Sequence, residues 1–139
     1  MKKIKLESLA FVLFIITVLT SCSNDNDSPQ TGDGYIYKSS YATSVVGPVT
    51  GKVGQELIYN VSFQVENGCG EFNKMTDVEF NKEVGYQVEA KYPVTACSLP
   101  DPEIKKTNYK VKTTLAGTYY LRIAKSETEF IVTKVVITD

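Results

Sequence analysis

The chain of 139 residues carries 15 basic and 16 acidic residues, with 9 tyrosines, 3 cysteines and neither histidine nor tryptophan. Lack of histidine removes the imidazole general base, the Ser-His and Cys-His nucleophile pairs and most zinc sites. Balanced charge, with no basic cluster after residue 21 beyond Lys105-Lys106, argues against a nucleic-acid footprint, and the lack of tryptophan weakens a carbohydrate-stacking reading.

In chain order, Met1-Lys2-Lys3-Ile4-Lys5 is a short cationic head, and Leu9 to Leu19 is apolar except for Thr17. A charged head before an apolar run of about 7–15 residues is the pattern of a secretory signal peptide. The run falls short of the roughly 20 apolar residues that span a bilayer, and no later segment approaches that length. Leu19-Thr20-Ser21-Cys22, an aliphatic residue, two small residues and a cysteine, resembles the bacterial lipobox. The resemblance implies a diacylglyceryl group on the Cys22 thiol and cleavage just before it. Residues 1–21 are then a lipoprotein signal peptide, and the mature chain meets the membrane through lipid on Cys22. Each buried methylene contributes about 0.8 kcal/mol; one acyl chain anchors weakly, whereas two or three hold firmly.

Residues 22–34 read as a lipidated acidic linker, since Ser23 to Gly34 are polar, rich in breakers and offer nothing to bury. Acidic residues just after the cysteine are also similar to the surface-export signal of Bacteroidota lipoproteins. The location so implied is the outer membrane, displayed at the cell surface, with a periplasm-facing domain as the alternative. The Asp/Asn spacing here lacks the sixth-position Gly and distal Glu of a calcium loop, so no metal site is expected.

Loss of residues 1–21 removes three Lys and one Glu, leaving 12 basic and 15 acidic residues, a net charge of −3, in a chain long enough for one domain. Cys69 and Cys97 remain. Export permits disulfides, and two cysteines allow one pairing. Cys69–Cys97 would close a loop of about 28 residues, stabilising the fold by about 3–4 kcal/mol in the chain-entropy model. A redox or metal-binding thiol pair has neither a CxxC spacing nor a histidine to support it.

From Tyr41 onward the apolar period is two. Leu57, Tyr59, Val61, Phe63 and Val65 alternate with Ile58, Asn60, Ser62, Gln64 and Glu66, the mark of a half-buried strand. Val84, Tyr86, Val88, Ala90 and Tyr92 repeat the pattern, as do Tyr109, Val111 and Thr113, then Tyr119, Leu121 and Ile123. Strands are expected at 41–49, 56–66, 71–80, 83–92, 107–114, 118–125 and 129–138. The first is an edge limited by Gly47-Pro48, 51–55 forms a turn, and the β-branched last strand is expected to be covered on both faces. Strands of this length and spacing predict one domain at 35–139: an all-β, antiparallel, immunoglobulin-like sandwich of about seven strands, with a small antiparallel barrel as the alternative. The barrel requires the first and last strands to pair.

The segment Gly51–Asp139 resembles small Bacteroidota surface lipoproteins with an immunoglobulin-like domain. The residues carrying this are Asn67-Gly68-Cys69-Gly70-Glu71-Phe72, Ala90-Lys91-Tyr92 with Ala96-Cys97, and Gly117-Thr118-Tyr119-Tyr120-Leu121. The resemblance implies location and fold, and no activity. Two cysteines in loops would pin one end of the sandwich, making loops 67–71 and 93–106 the candidate binding end, with Asn67, Gly68, Glu71, Tyr92, Pro93 and Asp101 as candidate contacts. Tyr92 and Tyr120 are read near loops or pointing outward, whereas Tyr35, Tyr37 and Tyr41 serve either recognition or an extra edge strand. Asn60-Val61-Ser62 matches a glycosylation sequon but falls mid-strand. The function expected is a membrane-anchored, non-enzymatic binding or adhesion-type module for a protein or glycan ligand, without cofactor. An accessory subunit docking on a larger envelope complex is the alternative. A hydrolase using carboxylates among Glu66, Glu71, Asp77, Glu79 and Glu89 ranks third and needs two of them within about 5–9.5 Å.

Overall fold

Alternating residues of this chain become ladders in the computed structural model, which describes residues 32–139. The leader, Cys22 and the linker as far as residue 31 lie outside the described residues. Nine strands follow one another: β1 (Tyr35–Ser40), β2 (Ala42–Val46), β3 (Thr50–Lys52), β4 (Glu56–Val65), β5 (Glu71–Phe80), β6 (Glu83–Pro93), β7 (Glu103–Lys112), β8 (Gly117–Ala124) and β9 (Phe130–Thr138). They form a two-sheet sandwich. The larger sheet runs β1-β6-β8-β9-β3 with β5 on β6, and the smaller is β2-β4-β7. The first strand pairs with β6 and the last with β8 and β3, so the sheets do not close into a barrel.

Nine strands replace the expected seven because two short pieces find distant partners. Tyr35–Ser40 lies antiparallel along residues 88–93 of β6, so Tyr35 and Tyr37 belong to an edge strand. The expected 41–49 strand and 51–55 turn divide differently. Ala42–Val46 stays in the small sheet on β4, while Thr50–Lys52 joins the large sheet parallel to β9. The break falls at Gly47-Pro48, where proline has no N–H for a ladder. A side chain at residue 47 would meet the Tyr59 ring at 2.4 Å, and the Tyr59 hydroxyl donates to the Pro48 carbonyl at 2.8 Å. Pairing is antiparallel except for β3–β9 and a single β6–β8 bridge, Tyr86 opposite Ile123. β7 begins at Glu103, ahead of the expected 107, because β4 offers a partner for each of its ten residues.

The inward face of β4 supplies the centre of the core: Leu57, Tyr59, Val61, Phe63 and Val65 are all buried. Val88, Ala90 and Tyr92 of β6, Leu121 and Ile123 of β8, and Val135 and Ile137 of β9 meet them. Each large apolar side chain so buried contributes about 1.5–3 kcal/mol. Val84 shares the face of Tyr86 and Val88 but lies beside the hairpin tip and is exposed. The last strand departs from expectation: Val132 and Val136 on its outer face are open to solvent, so only one face is covered. Phe80 and Phe130 stack at 4.7 Å outside the main core, and Phe130 fills the space a Cβ at Gly85 would need.

Candidate functional site

Strand directions give the sandwich two dissimilar ends. At one end lie the start of the described chain, the turn after β4 and the loop between β6 and β7. Val94 N–H donates to the Gly34 carbonyl at 3.0 Å, and Gly68 N–H donates to the Leu99 carbonyl at 2.9 Å. Cys69 and Cys97 are joined by a disulfide, Cα to Cα 6.0 Å, which ties those two loops together. Asp33 accepts a hydrogen bond from the Tyr37 hydroxyl; that bond lowers the Asp33 pKa and raises that of Tyr37.

Most of the candidate contacts at this end are used by the fold. The Asn67 side chain accepts the Cys69 N–H at 3.1 Å, and its carbonyl accepts the Gly70 N–H at 3.0 Å. Gly68 sits under Leu99, whose Cβ would be 2.8 Å from a Cβ added there. Pro93 is half-buried opposite Tyr35. Glu71 is exposed and ion-paired with Lys91 at 3.5 Å, and Asp101 is exposed. Tyr92 corrects the sequence reading: it is only 5% exposed. Its ring packs against Gly70, and its hydroxyl accepts the Glu66 N–H at 3.0 Å. It shares the inward phase of Val88 and Ala90, so the alternation overrides its nearness to a loop. Tyr120 does point outward, with Arg122 5.5 Å from its ring centre.

The opposite end, where β4 begins and β7 ends, opens into a cleft of about 180 Å³ between the sheets. Leu57, Val111, Leu121, Val135 and Ile137 line its apolar part, Tyr86, Tyr109 and Tyr119 add rings, and the outward-pointing Tyr120 borders it. Tyr86 and Tyr109 meet across the sandwich with ring centres 5.1 Å apart and planes tilted by 49°, within the range favoured by aromatic pairs. Burial, followed by the hydrogen-bonding hydroxyl of Tyr86, pushes the Tyr109 pKa well above the ordinary tyrosine value. The Tyr119 hydroxyl donates to the Leu115 carbonyl at 2.8 Å and ties the 113–116 loop to β8. Thr113 also lines the cleft, and its hydroxyl is buried without a hydrogen-bond partner. Such a group costs about 1–3 kcal/mol. No charged side chain lines this cleft.

A broader polar groove of about 600 Å³ runs beside the crossing from β1 to β2, lined by Ser39–Thr43, Gln64–Glu66, Pro102 and Lys125. Glu66 is the one carboxylate in it and is ion-paired with Lys38 at 2.5 Å. Glu89 accepts from Asn73 at 2.6 Å and lies 3.7 Å from Lys74. Neither concavity brings two carboxylates together. Among the described residues no three His, Cys, Asp or Glu side chains gather in a way that could hold a metal ion, and no helix is long and apolar enough to cross a membrane.

Sequence reasoning put Tyr86, Tyr109, Thr113 and Tyr119 on inward faces without joining them. The signal that could have done so is that the starts of β6 and β8 and the end of β7 share one end of the sandwich, which requires the register of three strands. No family model, curated protein or solved structure matches this chain, so these residues carry the functional argument alone.

Proposed function

We propose that the chain is a lipid-anchored, non-enzymatic binding module of the bacterial envelope, held at Cys22 and displayed on the outer membrane. Leu19-Thr20-Ser21-Cys22 and the acidic stretch after it support the anchor and the surface location. The observation that carries the binding reading is the cleft: a concave, aromatic, uncharged site at the end remote from where the described chain begins. A module tethered through residues 22–34 presents that end away from the membrane and keeps its disulfide end near it. Small-molecule sites are typically apolar concavities with a few placed polar groups, and the tyrosines of this lining each carry a hydroxyl.

Phase partition in Triton X-114 tests the anchor. The natural chain is expected in the detergent phase, and Cys22→Ala in the aqueous phase; retention of the variant in detergent sinks the lipid reading. Protease treatment of intact cells distinguishes surface display, in which the domain is cut, from a periplasm-facing domain, which is spared.

A second reading, as a subunit docking on a larger envelope complex, is favoured by one observation. Val49, Tyr120, Val132 and Val136 are all exposed on or beside β8 and β9. Mild crosslinking followed by co-purification of a stoichiometric partner, lost in Val132→Lys, would favour it over the cleft.

A further inference from the structure

We propose that the free edge of β7 is a docking site for an extended strand of another polypeptide that alternates acidic and apolar residues, at a surface separate from the cleft. β7 ends the small sheet. Among the described residues it pairs with β4 through all ten of its positions and with no other strand. Its far edge therefore offers a row of backbone N–H and C=O groups, the template that an incoming strand uses. Register along Glu103–Lys112 is unbroken. The other long free edge, β5, carries a bulge between Phe72 and Lys74, and the β2 edge carries one between Ala42 and Ser44. Bulges blunt an edge against added strands, and β7 has none.

Side chains name the partner. Lys106, Lys110 and Lys112 share the solvent face of β7 and are exposed. Alternate residues on one face of a strand stand about 7 Å apart, so carboxylates at alternate positions of an added strand come opposite these lysines. Lys110 is ion-paired with Glu56 at 3.0 Å, while among the described residues Lys106 and Lys112 make no ion pair. Thr107, Tyr109 and Val111 share the inward face and are half-buried, which gives the partner's apolar residues a surface to extend. A second copy of this chain is the wrong occupant. Antiparallel pairing of two β7 strands about Tyr109 sets Lys106 against Lys112, and about Asn108 it sets Lys106 against Lys110. Like charges directly opposite are destabilising. The same lysines thus oppose self-pairing and select an acidic strand.

The test uses the full chain in nanodiscs of zwitterionic lipid, with amide hydrogen exchange followed by NMR. The probes are a peptide alternating glutamate and valine and matched in length to β7, the same peptide with a central proline, a lysine–valine counterpart, and dextran sulfate. The glutamate–valine peptide is expected to bind saturably, more weakly as salt rises, and to slow exchange at alternate β7 amides. Proline removes a ladder donor and clashes with pairing, so that peptide is expected to lose the protection, and the lysine–valine peptide is expected not to bind. Lys106→Glu with Lys112→Glu should weaken the glutamate–valine peptide about tenfold and admit the lysine–valine one. Lys106→Gln, which adds no repulsion to the fold, should weaken it about two- to threefold. Equal binding of the proline peptide or dextran sulfate, protection at β5 or β2 in place of β7, or indifference to both lysine variants would each overturn the proposal. Phase partition reads the tether independently. A lipidated chain whose β7 amides stay unprotected loses this docking edge and keeps the anchored-module reading.

Discussion

At Asn81 and Lys82 the backbone has φ of 53° and 68°, so the β5–β6 hairpin turns through two consecutive residues in the left-handed region. That is the demand of a type I′ turn, which asparagine meets well and lysine poorly. Lys82→Gly is therefore expected to stabilise the domain by about 0.5–1 kcal/mol, read as a higher urea midpoint at unchanged slope. Tyr92→Phe should do the reverse. It strands the Glu66 N–H that the hydroxyl now accepts and is expected to cost about 1 kcal/mol in the same measurement. Tyr92 also marks how far single residues were legible. Its phase in the alternation was readable, yet its place next to Pro93 and a loop suggested exposure, and only packing against Gly70 decides between them.

Element by element, the long strands were legible and the short ones were not. The expected 56–66, 71–80 and 83–92 match β4, β5 and β6 to within a residue, because ten residues of period-two patterning are a strong local signal. β3 has three residues, including a glycine, and owes its existence to β9 at the far end of the chain. Val53 N–H completes that pairing by donating to the Thr138 carbonyl at 2.9 Å, a partner no local window contains. The disulfide belongs to this scale as well. With Cys22 assigned to lipid, one pairing was left for Cys69 and Cys97, and the structure joins them across 28 residues of sequence. Replacing both with serine is expected to lower unfolding free energy by about 3–4 kcal/mol in the chain-entropy model. Reduction of the natural chain with dithiothreitol should reproduce most of that loss in a thermal melt.

For the molecule as a whole, the all-β sandwich was legible and its two ends were not, since which loops share an end depends on strand direction and register across both sheets. Stability against pH is also a whole-molecule property. Tyr59 and Tyr109 both have raised pKa values, Tyr59 through burial and Tyr109 through burial and then Tyr86. A tyrosine raised in the fold favours its neutral form. Its contribution is complete below the unfolded value of about 10 and is lost as pH climbs through the folded one. Urea midpoints should thus hold steady from pH 7 to about 9 and fall above about pH 10, with Tyr109→Phe flattening the fall.

The strand nearest the start of the described chain has a mechanical consequence. β1 is bonded to β6 from Tyr35 opposite Pro93 to Ser40 opposite Val88. A pull on Gly34, resisted by a ligand gripped in the cleft at the other end, runs along β1 and not across it. The six pairs of that ladder then share the load side by side, as rivets in a lap joint do, and do not open one after another.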